Sequence, residues 1–148
     1  MIRHVLIAAA LFALAPSAFA ATCSASIEGS DAMKYNVANI DISKSCKTFT
    51  INLKHSGKLA KNIMGHNIVI AATSDIAGID TDGMKAGLAS DYIKPGDARV
   101  IAHSKVVGGG ESTSVSVPVA KLGAGPYSFF CSFPGHSALM KGTVTLVP

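Results

Sequence analysis

Along much of the chain, apolar and polar residues alternate one by one. Between Lys47 and Lys54, Phe49, Ile51 and Leu53 interleave with Thr48, Thr50 and Asn52. Between Ser112 and Val119, Val115, Val117 and Val119 alternate with Ser114, Ser116 and Pro118. Thr143–Val147 sets Val144 and Leu146 against Thr143 and Thr145. A period of two predicts strands with one buried face. Asn67–Ala72, Arg99–Ala102 and Tyr127–Cys131 are short apolar runs and predict more deeply buried strands. Turn-forming residues separate them: Ser56-Gly57, Lys94-Pro95-Gly96-Asp97, Gly108-Gly109-Gly110 and Gly123-Ala124-Gly125-Pro126. Many short strands with regular turns predict an all-β, antiparallel Greek-key sandwich or barrel. One stretch breaks the pattern. Residues 75–88 lack alternation and place Ile76, Ile79, Met84 and Leu88 at helical spacing, which predicts a short helix or flap outside the sheets.

The first twenty residues read differently. Arg3 and His4 precede an apolar run from Val5 to Ala15, and Ala18-Phe19-Ala20 closes it with a small-x-small pattern. This predicts a secretory signal over residues 1–20 and a single domain over 21–148. The apolar run is too short to span a bilayer. The formal net charge is +4, but Arg99 is the sole arginine after the leader and the lysines are scattered. Nucleic acid binding wants clustered charge and arginine, so that class is set aside. The expectation is an exported monomer that leaves the membrane once its signal is cut.

Export changes how the three cysteines are read. Cys23, Cys46 and Cys131 would enter an oxidising compartment, where two can pair and one remains. Cys23 and Cys46 lie in segments poor in metal-ligating residue types, whereas Cys131 sits among His and Met. The economical assignment pairs Cys23 with Cys46, a closure worth about 3 kcal/mol on the chain-entropy argument. Other motifs fail on detail. Asp80-Thr81-Asp82-Gly83 begins like a calcium loop, but Met84 stands where a ligand is needed. Gly108-Gly109-Gly110-Glu111-Ser112-Thr113 lacks the Lys that ends a phosphate loop. Cys131 and His136 share one loop too closely for the usual nucleophile–base pair.

The strongest signal is Cys131-Ser132-Phe133-Pro134-Gly135-His136-Ser137-Ala138-Leu139-Met140, with Cys-x4-His-x3-Met spacing between two predicted strands. A loop folding back there can aim a thiolate, an imidazole and a thioether at one point. That donor set suits copper in electron-transfer sites, which also need a second imidazole. His55, His66 and His103 are available. His66 is preferred because it follows Gly65 and opens an apolar strand at the mouth of the sandwich.

With those residues in view, the chain resembles the azurins, small blue-copper proteins of the cupredoxin family. The resemblance runs through Ser45-Cys46-Lys47, Met64-Gly65-His66-Asn67, Thr81-Asp82-Gly83-Met84, Arg99–His103 and Phe129–Gly142. It implies a trigonal copper plane from His66, Cys131 and His136, with Met140 axial and the Gly65 carbonyl opposing it weakly. It implies hydrogen bonds from the backbone of Asn67 and Phe133 to the Cys131 sulfur, and His55 as a pH-sensitive neighbour that is not a ligand. Its disulfide would match Cys23–Cys46. One departure is Ile68, where azurins often carry Trp.

The function implied is a periplasmic electron carrier cycling one copper ion between Cu(II) and Cu(I), without enzymatic turnover. Met33, Leu59, Ile63, Met64, Met84, Phe133, Pro134, Ala138 and Leu139 would form an apolar docking patch around His136. Partners implied are redox proteins such as a small c-type cytochrome, a nitrite reductase or an amine dehydrogenase. The competing reading is a copper carrier or storage protein without electron transfer. A zinc site could use Cys131, His66 and His136 but has little use for Met140. A multicopper enzyme is excluded, because four histidines after the leader cannot build the extra centres.

Overall fold

A computed structural model describes residues 22–148, so the signal expected over residues 1–20 lies outside the described residues. Nine strands form two sheets: β1 (Ser24–Ser30), β2 (Lys34–Tyr35), β3 (Asn39–Ser43), β4 (Thr48–His55), β5 (Val69–Ala72), β6 (Val100–His103), β7 (Ser112–Pro118), β8 (Tyr127–Phe130) and β9 (Lys141–Val147). One sheet has the order β2-β1-β4-β7 and the other β3-β9-β8-β5-β6. A one-turn helix, α1 (Lys61–Met64), precedes β5, and a longer helix, α2 (Ile76–Ala86), follows it.

The alternating segments bury the faces their sequence dictates. Phe49, Ile51 and Leu53 of β4 and Val115 and Val117 of β7 point into the space between the sheets. They meet Ile40 and Ile42 of β3, Ile68 just before β5, Ile70 of β5 and Phe129 of β8 in one core. Each fully buried side chain of this size contributes about 1.5–3 kcal/mol.

The sandwich is confirmed, but its sheets are mixed. β1 runs parallel to β4, in register from Ser24↔Thr50 to Gly29↔His55. β3 runs parallel to β9, from Asn39↔Thr143 to Ser43↔Val147. The remaining pairs are antiparallel. Alternation reports which face is buried and carries no strand direction. The direction follows from β3 crossing to the second sheet, which lets β4 return alongside β1.

The apolar run 67–72 is buried on both sides. Ile68 and Ile70 face the main core, while Val69 and Ala71 face a smaller one with Phe130, Ile79 and Ile93. α2 therefore packs on the outer face of the second sheet. Ile79 is its fully buried residue, and Gly83 follows on the same face, where a Cβ would stand 2.1 Å from the Tyr92 carbonyl oxygen. Met84 is thereby turned outward, so it leaves the expected stripe. The segment 99–102 is also less buried than its composition suggests, because β6 is an edge strand.

Candidate metal centre

Three of the segments around the site reach it from different parts of the chain. β1 ends at Gly29 and Ser30, the link after α1 carries Gly65 and His66, and the β8–β9 connection carries Cys131 to Met140. His66 is held to the fold by two backbone bonds with Val107, at 3.0 and 2.8 Å. The β8–β9 connection turns at Pro134-Gly135, with Gly135 at φ 80°, and then forms a 3-10 turn over His136–Ala138. The Met140 N–H donates to the His136 carbonyl at 2.7 Å, and the Cys131 N–H donates to the Met140 carbonyl at 3.0 Å. This short loop therefore closes on itself and returns Met140 beside Cys131.

The side chains converge. The donor atoms of His66, Cys131 and His136 all lie within 4.8 Å of one another, and all three residues are buried. The Cys131 Sγ stands 3.6 Å from His136 Nδ1 and 3.8 Å from the Gly65 carbonyl oxygen. Met140 is fully buried. A Cβ on Gly29 would lie 2.8 Å from His66 Cδ2 and 3.4 Å from Met140 Cε, so both side chains stand over the end of β1.

Hydrogen bonding fixes the His66 tautomer. Its Nε2 donates to the Ser30 carbonyl at 2.9 Å, leaving Nδ1 as the atom with the lone pair. That Nδ1 is buried and has no hydrogen-bond partner. A bare, buried imidazole nitrogen is costly unless something coordinates it. A carbonyl bonded to the far nitrogen is also the arrangement that orients metal-ligating histidines.

The electrostatics agree. Burial pushes the Cys131 thiol up to about 12, while backbone hydrogen bonds from Asn67 and Phe133 oppose the shift. A thiol held this way stays protonated at neutral pH and is a poor nucleophile. A bound cation is what would favour its thiolate form. Burial lowers His136 to about 4 and also lowers His66, so both imidazoles are neutral at pH 7 and can offer lone pairs. A soft sulfur with two neutral imidazoles and a nearby thioether is a donor set that fits copper.

Asn67 locks the two halves of the site together. Its Oδ1 accepts from the Ser132 N–H at 2.9 Å, and its Nδ2 donates to the Ser132 hydroxyl at 2.9 Å and to the Asp91 carbonyl at 3.1 Å. Tyr35 hydrogen-bonds the Asn67 carbonyl at 2.5 Å. His55 is fully buried and stacks on His66 with ring centroids 4.3 Å apart. Its Nε2 donates to the Met64 carbonyl at 2.8 Å and its Nδ1 accepts from the Gly57 N–H at 3.0 Å. Neither nitrogen is free, so His55 is a neighbour of the cluster and offers it no lone pair. His103 is exposed on β6, outside the cluster.

The expected apolar patch is only partly open. Leu59, Ile63, Met84 and Leu139 are the large exposed hydrophobic residues among those described. Pro134 and Ala138 are exposed as well. Met64 is half-buried, and Met33 and Phe133 pack against the core and present only part of their surface. A continuous set of contacts underlies these residues. A Cβ on Gly65 would meet Phe133 at 3.1 Å, Phe133 meets Tyr92 edge-on, and Tyr92 covers Gly83 of α2. His136 is 2% exposed, with Phe133 packed against its ring at 4.5 Å.

Sequence reasoning missed Gly29, Ser30 and Tyr35. Gly29 carries no side chain to signal its role, and Ser30 acts through its carbonyl. The Cys23–Cys46 disulfide is present, and Cys131 is the free cysteine.

Comparison with known proteins places this geometry. A family model for copper binding proteins of the plastocyanin/azurin family matches residues 21–147. The azurin of Bordetella pertussis is 55% identical over 149 residues, covering 99% of both chains. That of Pseudomonas chlororaphis is 58% identical over 127 residues, covering 85% of this chain and 99% of its own. That of Pseudomonas aeruginosa is 52% identical over 147 residues, again covering 99% of each. A buried sulfur–imidazole cluster on a mixed β-sandwich, with this similarity along its whole length, makes the chain a member of the plastocyanin/azurin family of copper-binding proteins.

Proposed function

We propose that the protein is a periplasmic electron carrier and not an enzyme. One copper ion would be held by His66, Cys131 and His136, with Met140 and the Gly65 carbonyl as weaker donors beside them. Bound there, copper would supply a one-electron Cu(II)/Cu(I) couple. The observation that carries this reading is the buried His66 Nδ1, which has no hydrogen-bond partner, in a residue whose ligand atom lies within 4.8 Å of those of Cys131 and His136. The chain's own contribution is rigidity. Asn67, the Ser30 carbonyl and the Met140–Cys131 backbone bond hold the donors in place before any ion arrives. The backbone of Asn67 and Phe133 stabilises charge on the sulfur. A site that need not rearrange suits fast electron exchange better than storage or delivery, which favour accessible donors.

The exposed apolar residues around Phe133 and His136 suit brief docking with a redox protein such as a c-type cytochrome, a nitrite reductase or an amine dehydrogenase. Met64→Lys tests that role, and unchanged exchange with such partners would remove it. His55 is the candidate pH-sensitive group. Protonation would put a hydrogen on Nδ1 against the Gly57 N–H, forcing residues 56–57 to rearrange. A reduction potential flat between pH 5 and 8 would argue against that coupling. Export rests on the pattern Arg3–Ala20. A periplasmic product whose mass begins at Ala21 would support it.

The deciding experiment is the visible spectrum after one equivalent of Cu(II), for the parent and for Cys131→Ser. An intense thiolate-to-copper band, bleached on reduction and missing from the variant, is the expected result. Colourless, tight zinc binding or pale copper binding indifferent to Cys131 would overturn the reading.

A further inference from the structure

The acidic pair Asp80 and Asp82 resembles the start of a calcium loop in sequence, yet α2 separates them. Two residues apart on a helix, they face different ways. Asp82 pairs with Arg99 at 2.7 Å, while Asp80 accepts a hydrogen bond from the hydroxyl of Ser137. Ser137 is the residue after His136, inside the turn that closes the metal-binding loop. Asp80 is thus the side chain by which α2 grips that loop.

Its other oxygen is the informative one. Asp80 Oδ1 is buried and has no hydrogen-bond partner. Burial pushes this carboxyl up, and the Ser137 hydroxyl and the Lys141 ammonium work against that shift. Thr73, Ser128, Ser137 and Lys141 line the same cleft. A half-satisfied acid under a loop is a poor choice for stability, and an apolar side chain would pack there at less cost. Its charge is held one residue from His136, at the turn itself, without entering the donor cluster. A negative charge placed beside a cation favours the cation's higher charge state.

We propose that Asp80 is a positioning residue of the copper centre: through Ser137 it fastens the His136 turn to α2, and its carboxylate biases a bound ion toward Cu(II). This rests on the copper reading above. Two variants separate the two parts. Asp80→Asn keeps an acceptor for Ser137 and removes the charge. Ser137→Ala keeps the charge and removes the bond. Asp41→Asn, on the outer edge strand β3, removes one charge far from the loop and serves as control.

The charge is read by redox titration of the copper-loaded proteins. Asp80→Asn should shift the Cu(II)/Cu(I) equilibrium toward Cu(I) by about threefold, or about 28 mV at 59 mV per tenfold change for one electron. A shift no larger than that of Asp41→Asn overturns the electrostatic part. The fastening is read without metal, by amide exchange of Leu139 and Met140, whose N–H groups bond the His136 carbonyl. Ser137→Ala should speed that exchange several-fold, and Asp80→Asn should leave it near the parent rate. Equal exchange in the parent and Ser137→Ala overturns the fastening. The thiolate band of the parent is recorded first. Its absence would dispose of the copper reading, whereas its presence with unshifted variants would dispose of Asp80's role alone.

Discussion

Single residues hold the tightest tolerances in this molecule. Gly29 lies in regular strand, yet a methyl there would enter the His66 ring. Gly29→Ala should weaken copper binding by about 10–100-fold, the usual scale for disturbing the groups that orient a ligand, while the metal-free protein still folds; competitive chelator titration measures it. Asn67→Ala should cost about 1–3 kcal/mol in urea unfolding, because the Ser132 N–H would be left buried without its acceptor. His136 carries a pH consequence. Its folded pKa is depressed to about 4 by burial, below the ordinary 6.5. The unfolded chain therefore takes up a proton that the folded one refuses as pH falls from about 6.5 to 4. Metal-free protein should lose stability across that window, and His136→Gln should flatten the loss in thermal scans. Cys131, His136 and Met140 were legible as candidate donors because Cys-x4-His-x3-Met is a local pattern, and His66 because it follows Gly65 ahead of an apolar strand. Gly29, Ser30 and Tyr35 were not, since what they supply is an absent side chain, a carbonyl and a cross-sheet reach.

At the level of elements, periodicity located β4, β7 and β9 within a residue or two, and burial on both faces accounted for β5 and β8. β1 and β3 escaped notice. β1 has one large apolar residue, Ile27, among Ser, Ala, Glu and Gly, and β3 is only five residues long. The helix over residues 75–88 was visible, and Ile76 and Ile79 of its stripe do face the second core; Met84 does not, because Gly83 makes the closest contact there. Gly83→Ala should push α2 away from Tyr92 and cost about 1–3 kcal/mol, the usual penalty for overpacking; denaturant midpoints would register it. Arg99 ties the same helix to the segment before β6, through Asp82 and through Asp97 at 2.5 Å. The Arg99 guanidinium holds the Asp97 carboxyl below its usual range. That contribution is present above the unfolded value near 4 and fades as pH drops through the folded one. Asp97→Asn should therefore matter at pH 6 and matter little at pH 2, as paired melting curves at the two pH values would record.

For the molecule as a whole, ion binding and folding are linked. Copper that binds only the folded chain should add about 4 kcal/mol at a free concentration a thousand times Kd, and calorimetry should show this increment disappear in Cys131→Ser. The parallel pairing of β3 with β9 has a further outcome. The last described strand pairs with the third and with β8, so the Cys131–Met140 loop is the connection between two neighbouring strands. Synthesis proceeds from the other end, so His66 emerges long before Cys131, and no partial chain holds a finished donor set. Competition among metals would therefore be settled only once the last strand, Lys141–Val147, finds its place.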